Sequence, residues 1–126
     1  MNIQKLLLVG IGGFTGSVFR YIIARLVDER ASRIIPFGTL TVNIAGCFII
    51  GIIYGLLLRK LDMSENVRLL LGVGFCGGFT TFSAFALENL PFIQQKNFGN
   101  VLLYSLVCVV LGIMAVWGGF SIVKNV

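Results

Sequence analysis

The chain has 126 residues, of which 57% are hydrophobic and only 12% are charged, with a net charge of +5. A soluble globular domain has about 25% charged residues, so the composition excludes that class. The chain contains no histidine, which removes the commonest proton shuttle and transition-metal ligand. The basic excess lies in loops and at the chain ends and forms no stripe on a soluble surface, which argues against nucleic-acid binding.

Four apolar runs divide the chain. Each has about 19–23 residues and would be roughly 29–35 Å long as an α-helix, which matches a hydrocarbon core of about 30 Å. The sequence therefore predicts an all-α membrane protein with one domain over residues 1–126 and helices near 6–24, 36–58, 69–87 and 101–123. Lys5 precedes the first run, as in a signal peptide. Because the run is long and no convincing cleavage site follows, we expect an uncleaved first helix.

The first run contains several glycines and one arginine. Gly12 and Gly16 are four residues apart, a spacing that lets two helices approach closely, either within one bundle or at a subunit interface. Arg20 either faces a cavity or extends to the lipid headgroups. The segment from Arg25 to Pro36 is typical of an ordinary solvated turn.

The second run carries one asparagine among aliphatic residues. Thr39, Asn43 and Gly46 are spaced so that they share one helix face. The amide of Asn43 offers two N–H donors and one acceptor. It is either a hydrogen-bonding contact between helices or part of a ligand site, and the residue alone does not distinguish the two.

The third run contains the most unusual stretch, residues 74–85, with three glycines, two adjacent threonines, a serine and four phenylalanines. Glycine gives the backbone freedom to leave helical geometry, while threonine and serine replace hydrogen bonds lost there. Irregular backbone at membrane depth must be covered by protein or line a cavity, so we expect a broken helix and a candidate site here. In a continuous helix three rings would share one face: Phe75, Phe79 and Phe82.

The end of the third run and the fourth run are less informative. We expect the third helix to end near Pro91, with Glu88 as a solvated carboxylate. In the fourth run, Tyr104, Cys108 and Gly112 form a weakly polar line, and Tyr104 is also a candidate interfacial anchor, together with Trp117. Three runs contain one cysteine each, which is typical of small packing residues rather than a disulfide framework: Cys47, Cys76 and Cys108.

The basic residues are balanced across the membrane. With four spans, one side carries five of them: Lys5, Arg59, Lys60, Arg68 and Lys124. The other side carries four: Arg25, Arg30, Arg33 and Lys96. This balance gives almost no preferred orientation and predicts a dual-topology protein that pairs with an inverted copy; a single orientation with weak bias is the alternative. The sequence has no internal repeat, so any pseudo-symmetry must come from two copies.

Three motifs, in this order, resemble the Fluc (CrcB-type) family of fluoride channels over nearly the whole chain. Gly16-x-x-x-Arg20-Tyr21 resembles the helix 1 pattern of the family. The helix 2 signature is matched by Phe37-Gly38-Thr39-Leu40-x-Val42-Asn43-x-x-Gly46. The broken third helix is matched by Gly74-Phe75-x-Gly77-Gly78-x-Thr80-Thr81-Phe82-Ser83-x-Phe85. Each motif alone is modest evidence, but the three in order are highly specific.

The resemblance implies an antiparallel homodimer in the inner (plasma) membrane, with two parallel fluoride pathways and a structural sodium ion at its centre. It implies that main-chain carbonyls of the helix break hold the sodium: Gly77 and Thr80. It implies an anion pathway with an aqueous vestibule, formed by Asn43, Phe82, Phe85, Ser83, Thr39, Tyr104 and, in the vestibule, Arg20. Ala84 departs from the family, whose members often have a hydroxyl there, and Cys108 and Gly112 make the polar line of helix 4 thin.

The chemistry of fluoride fits these residues. The ion is small and strongly hydrated, so a pore must replace much of its water shell with fixed donors that carry no full charge. The Asn43 amide and the hydroxyls of Ser83 and Tyr104 are such donors, and the edges of the Phe82 and Phe85 rings carry partial positive charge. Arg20 at a pore mouth would raise the local anion concentration without occupying the narrowest part. Freed carbonyls are hard oxygen ligands and suit a central cation.

Other function classes explain fewer of the residues. A small multidrug-type exporter also has four spans, but it needs a membrane-embedded carboxylate in the first helix, and the first apolar run has none. A structural or assembly subunit would explain the glycines but not Asn43 beside a polar, aromatic break. An enzyme is not expected, because the chain has no histidine, no paired carboxylates and no nucleophile with a base.

Overall fold

The computed structural model describes residues 1–31, 34–59 and 63–125. In this part of the chain four helices are long and apolar enough to cross a membrane: α1 (Ile3–Arg30), α2 (Phe37–Leu58), α3 (Glu65–Gln94) and α4 (Phe98–Asn125). The described residues contain no strand, and α3 is interrupted. The predicted all-α architecture with four spans and a broken third helix is confirmed. Two of the basic residues counted for orientation lie outside the described residues: Arg33 and Lys60.

α1 is longer than its apolar run. It continues through charged residues to Arg30, so the expectation of a solvated turn starting at Arg25 was wrong. Arginine and glutamate are good helix formers, and Arg25 Nε lies 2.8 Å from Glu29 Oε1 one turn further on. This extension also places Asp28 on α1, at its end rather than within the apolar run.

α3 is built from several pieces. Arg68–Cys76 has the wider π-helical winding, which occurs often near functional sites, and one α-helical turn follows at Gly77–Phe79. Extended backbone then occurs at Thr80 (φ −91°, ψ 157°) and Thr81 (φ −152°, ψ 122°). The second part of α3 consists of Phe82–Glu88 and Leu90–Gln94. The interruption at Thr80 and Thr81 is called the break below.

The glycines of α3 do not form the break, contrary to the expectation from the sequence. Gly77 is helical (φ −63°, ψ −37°), and no described glycine has a positive φ. Gly74 and Gly78 instead allow close packing, because a Cβ atom at Gly74 would lie 2.9 Å from the Cα atom of Gly12. A Cβ at Gly78 would meet the carbonyl oxygen of Gly13 and, at 3.0 Å, Ser17 Oγ. The extended backbone instead occurs at two threonines, whose hydroxyl groups form hydrogen bonds with neighbouring backbone groups.

α3 also continues beyond Pro91, where the sequence predicted its end. Pro91 lies in the first turn of Leu90–Gln94, where its missing N–H has no helical partner to lose. At the joint before it, the buried Asn89 side chain donates from Nδ2 to the carbonyl oxygen of Phe85 at 3.0 Å. A side chain thus supplies the hydrogen bond that lets the helix bend without leaving this carbonyl unsatisfied.

Two close helix pairs hold the bundle together. α1 packs mainly on the first part of α3, and α2 packs mainly on α4. A Cβ at Gly16 of α1 would meet the carbonyl oxygen of Phe75, and a Cβ at Gly51 of α2 would meet that of Val116. Such backbone-to-backbone contact is typical of helices associating in lipid. Of the two roles open for Gly12 and Gly16, packing within one chain is the one observed.

The outer faces of the helices are apolar. Val42 is the largest fully buried side chain, while many large hydrophobic residues are exposed, among them Leu102, Ile113 and Trp117 on α4. A soluble monomer rarely exposes continuous apolar surface of this extent, whereas lipid requires it. The chain is therefore a multi-pass membrane protein.

Replacing Gly12 by alanine should lower the free energy of unfolding by about 1–3 kcal/mol. The new Cβ would lie 2.9 Å from Gly74 Cα and 2.8 Å from the Phe75 nitrogen, and these backbone atoms cannot turn away. Gly10→Ala is the matched control, since a Cβ there meets nothing within 4 Å. Thermal unfolding of both variants in detergent checks this, and equal losses in both would contradict close packing at Gly12.

Candidate functional site

The break in α3 is stabilised by the hydroxyl groups of its own threonines. Thr80 Oγ1 donates to the carbonyl oxygen of Cys76 at 2.8 Å, one turn back in the helix. Thr81 Oγ1 accepts the amide of Ala84 at 3.2 Å and so caps the following helical piece. Two adjacent threonines therefore close one helix and open the next.

Asn43 of α2 binds the backbone at the break from the side. Its Oδ1 accepts the Thr81 amide at 2.8 Å, and its Nδ2 donates to the Thr81 carbonyl oxygen at 3.0 Å. The side-chain amide thus pairs with both backbone groups of one extended residue. Asn43 is therefore a hydrogen-bonding contact between helices, and since Nδ2 carries two hydrogens, one more donor is available to a ligand.

The predicted sodium ligands, Gly77 and Thr80, have carbonyl groups that lose their ordinary helical donors. In a continuous helix Gly77 would accept the Thr81 amide, but that amide donates to Asn43. Thr80 would accept the Ala84 amide, but that amide donates to the Thr81 hydroxyl. Among the described residues no cluster of three or more His, Cys, Asp or Glu side chains suits a metal ion. Carbonyl oxygens are hard ligands, so this donor set fits a small hard cation.

These carbonyl residues line an open groove of about 430 Å³, called the break groove below. A Cβ added at Gly77 would meet nothing within 4 Å, so this side of α3 faces open space. The groove brings together several predicted site residues: Asn43, Gly77, Thr80, Phe82 and Phe85. It is also lined by all three cysteines, which are free thiols, and by Gly112.

The phenylalanines form two pairs, one on each side of the break. Phe75 and Phe79 stack with ring centroids 5.4 Å apart, and Phe79 is buried. Phe82 and Phe85 lie 5.5 Å apart at an angle of 48°. Because the break interrupts the helix, Phe82 is not on a shared face with the first pair, and its side chain is 79% exposed. The rings predicted for the anion pathway are thus separate from the packing rings.

A polar cluster around Glu88 joins three helices, α2, α3 and α4. Glu88 of α3 accepts a hydrogen bond from the Thr39 hydroxyl of α2 at one oxygen. Its other oxygen accepts from the Tyr104 hydroxyl of α4 at 2.8 Å. Thr39 and Tyr104 are each only 5% exposed. The ring of Tyr104 also lies 5.3 Å from that of Phe85, which connects the polar cluster to the second phenylalanine pair.

Glu88 is the site residue that the sequence reading missed. The expectation of a solvated carboxylate was wrong, because Glu88 is half-buried and bound by two hydroxyls. One signal was available, since Glu88 is the only charged residue between Arg68 and Lys96. An ionisable residue within a membrane span is by default a functional candidate.

Arg20 faces a cavity, the first of the two roles considered for it. Its Nε donates to the Gly78 carbonyl oxygen at 3.0 Å, on the side of α3 opposite the break groove. It lines a second cavity of about 610 Å³, called the vestibule below, together with Thr39, Thr81 and Glu88. Thr81 lines both cavities and so lies between the vestibule and the break groove.

The structure also locates three further residues of the sequence analysis: Ser83, Tyr104 and Trp117. Ser83 is exposed, and its hydroxyl lies 3.2 Å from Thr81 Oγ1, beside the break rather than on the break groove. Tyr104 is buried, so it is not an interfacial anchor, whereas Trp117 is 70% exposed. The site residues therefore form two adjoining groups, one around the break groove and one around the vestibule.

The fold and the site define a class of protein. It is a four-span membrane protein whose third helix is broken at two threonines and held at the break by an asparagine. A family described as "CrcB-like protein, Camphor Resistance (CrcB)" matches residues 7–120. The chain belongs to this family.

Several relatives resemble the chain over nearly their whole length. A protein of Azobacteroides pseudotrichonymphae is 42% identical over 122 residues, which cover 97% of this chain and 98% of that protein. One from Flavobacterium psychrophilum is 38% identical over 117 residues (93% and 94%), and one from Chlorobium phaeobacteroides is 44% identical over 119 (94% and 92%). Each of the three is named "Fluoride-specific ion channel FluC".

Replacing Asn43 by leucine should lower the free energy of unfolding by about 1–3 kcal/mol, because the Thr81 amide and carbonyl would both lose their partner. Thr41→Val is a matched control, since Thr41 is a polar residue on the same helix with an exposed side chain. Thermal unfolding in detergent compares the two. If Asn43→Leu is as stable as Thr41→Val, the asparagine does not hold the break.

Proposed function

We propose that the chain is a fluoride-selective channel through which cytoplasmic fluoride leaves the cell passively. The observation that carries the proposal is the pairing of Asn43 with the break, beside Phe82 and Phe85. It supplies fixed, uncharged donors next to an aromatic surface within the membrane. The family and the names of the relatives support the choice of ion.

The break groove suits a strongly hydrated anion. The second Nδ2 hydrogen of Asn43 is a donor held in place, because the other hydrogen is bound to Thr81. Phe82 and Phe85 offer ring edges with partial positive charge, which replace water without a full charge that would trap the ion. Ser83 adds a hydroxyl close to Phe82. Conduction requires this kind of contact, favourable enough to admit the ion and weak enough to release it.

The vestibule provides access for anions. Arg20 is anchored through Nε to Gly78, and its remaining guanidinium N–H groups are available to the cavity. The positive charge of Arg20 attracts anions at that point of the mouth. The same cavity is also lined by Arg25 and by the carboxylates of Asp28, Glu29 and Glu88, so this attraction is local to Arg20. At the inner end Thr39 and Tyr104 donate to Glu88, so an anion reaching these hydroxyls competes with a carboxylate for the same donors.

The proposed assembly is an antiparallel homodimer with two pores. Phe82 is 79% exposed and Gly77 faces open space, so one chain leaves the break groove uncovered. The nearly equal charge counts on the two sides of the membrane favour an inverted partner over a parallel one. A two-fold axis would bring two breaks together, since such an interface uses the same surface of both copies.

In this assembly Gly77 and Thr80 would hold a structural sodium ion. Their carbonyl groups have lost their helical donors, and two copies would double the number of such oxygens. The ion would supply a compact positive charge to these backbone oxygens. The role of the chain itself is to present the oxygens of Gly77 and Thr80 on the break groove.

Purified protein in liposomes should release trapped fluoride far faster than empty vesicles and should exclude chloride. Phe82→Ile and Phe85→Ile should each slow fluoride efflux by at least about tenfold, because an aliphatic side chain has no positive edge. A fluoride electrode measures the rate.

Phe14→Ile is the control for these variants, because Phe14 is 71% exposed on α1 and does not line the break groove. Efflux no faster than from empty vesicles would refute the channel. Equal passage of chloride would refute its selectivity. Wild-type rates in both Phe82→Ile and Phe85→Ile would show that these rings have a packing role and do not contact the anion.

The dual topology is tested separately. A tag at the C-terminus should be labelled by a membrane-impermeant reagent from both sides of the membrane, in nearly equal amounts, because the basic residues are balanced. Adding two lysines to the N-terminus should shift the labelling to one side. Labelling of the unmodified protein from one side only would exclude an inverted partner.

A further inference from the structure

α2 begins without a capping side chain of its own. The residue before it, Pro36, makes no side-chain cap, although the first amides of any helix lack partners within that helix. Water would satisfy such amides on a soluble protein, but near the hydrocarbon region an unsatisfied amide is destabilising. The start of α2 therefore needs an acceptor from elsewhere in the chain.

Asp28 of α1 supplies this acceptor. Its Oδ1 accepts the amide of Gly38, in the first turn of α2, at 2.7 Å. Gly38 allows the approach, since a Cβ there would lie 2.8 Å from the carboxylate carbon of Asp28 and would also meet the carbonyl oxygen of Ala24. The last turn of α1 and the first turn of α2 are thus joined by a carboxylate and a missing side chain.

The residue after Gly38 is Thr39, which is buried and donates to Glu88. A shift in the start of α2 would move this hydroxyl directly. Asp28 also lies on the wall of the vestibule, with Arg20 and Glu88. It therefore occupies a point from which both the polar cluster and the approach of an anion can be altered.

A free carboxylate at this point would repel an anion. Asp28 is not free, because it faces the positive end of the α2 dipole, which stabilises a negative charge. The neighbouring Glu29 is different, since it pairs with Arg25 one turn earlier on α1, although it also lies on the wall of the vestibule. The two adjacent carboxylates therefore have separate partners.

We propose that Asp28 is a positioning residue for anion permeation. It caps α2 from α1, fixes Thr39 against Glu88, and has its own charge offset by the helix it caps. The transport part of this inference rests on the proposed channel function. The capping part depends only on the contact between Asp28 and Gly38.

The test compares Asp28→Ala, Asp28→Asn and the matched control Glu29→Ala. Asparagine is as good a capping acceptor as aspartate but carries no charge. Each protein is reconstituted at less than one channel per liposome, so that the efflux rate of an active vesicle is separated from the number of active vesicles. Thermal unfolding in detergent is measured on the same preparations.

We expect Asp28→Ala to slow fluoride efflux per channel by about fivefold and to lower the unfolding temperature, since a capping contact is lost. Asp28→Asn should restore both quantities. Glu29→Ala should leave the unfolding temperature unchanged and should not slow efflux, since it only removes a carboxylate from the vestibule wall. A wild-type rate per channel in Asp28→Ala, or an equal loss in Asp28→Asn, would overturn the proposal.

The two proposals fail in different ways. If the wild-type protein passes no fluoride, the channel function and the transport role of Asp28 both fail. The capping role is then decided by unfolding temperature alone, and it holds only if Asp28→Asn is as stable as wild type while Asp28→Ala is not.

Discussion

The break in α3 is possible because Asn43 satisfies both backbone groups of Thr81. Backbone polar groups within a membrane must find partners inside the protein, and an unpaired one is strongly destabilising. A helix interrupted at this depth would lose stability unless a side chain replaced the missing bonds. The asparagine does so with a donor and an acceptor in a fixed geometry. Gly77, Thr80, Phe82, Ser83 and Phe85 all lie within four positions of Thr81 along the chain.

The glycine contacts determine where the break is held. α1 lies directly on the backbone of α3 through Gly12 and Gly16, so the first part of α3 packs closely against α1. Beyond these contacts Arg20 and Ser17 both donate to the Gly78 carbonyl, at 3.0 and 3.4 Å. One side of the helical end before the break is thus occupied by α1. The opposite side, at Gly77, remains open.

The sequence predicts the parts of this arrangement that depend on local pattern. Four apolar runs determine four spans, and residues 74–85 mark the interrupted helix. It does not predict which residues carry the interruption, because glycine serves close packing as readily as irregular backbone. The partners of Glu88 were missed for another reason: Thr39 and Tyr104 are 49 and 16 positions away, and only folding reveals that they converge. Asp28 was assigned to a turn because the charged segment was interpreted as the end of the first helix. Charged residues do not by themselves end a helix, and α1 continues to Arg30.

Successive carbonyl groups at the break have different surroundings, and this difference separates two kinds of chemistry. Gly78 accepts from a guanidinium and a hydroxyl, so its carbonyl is satisfied within the chain. Gly77 and Thr80 have lost their helical donors to Asn43 and Thr81, and both line the open groove. A carbonyl left in this state needs a cation, water or another chain. Phe82, on the far side of the break, is equally uncovered but has only an aromatic ring to offer. The same two threonines therefore place carbonyl oxygens without helical donors and an exposed aromatic ring next to each other on one open groove.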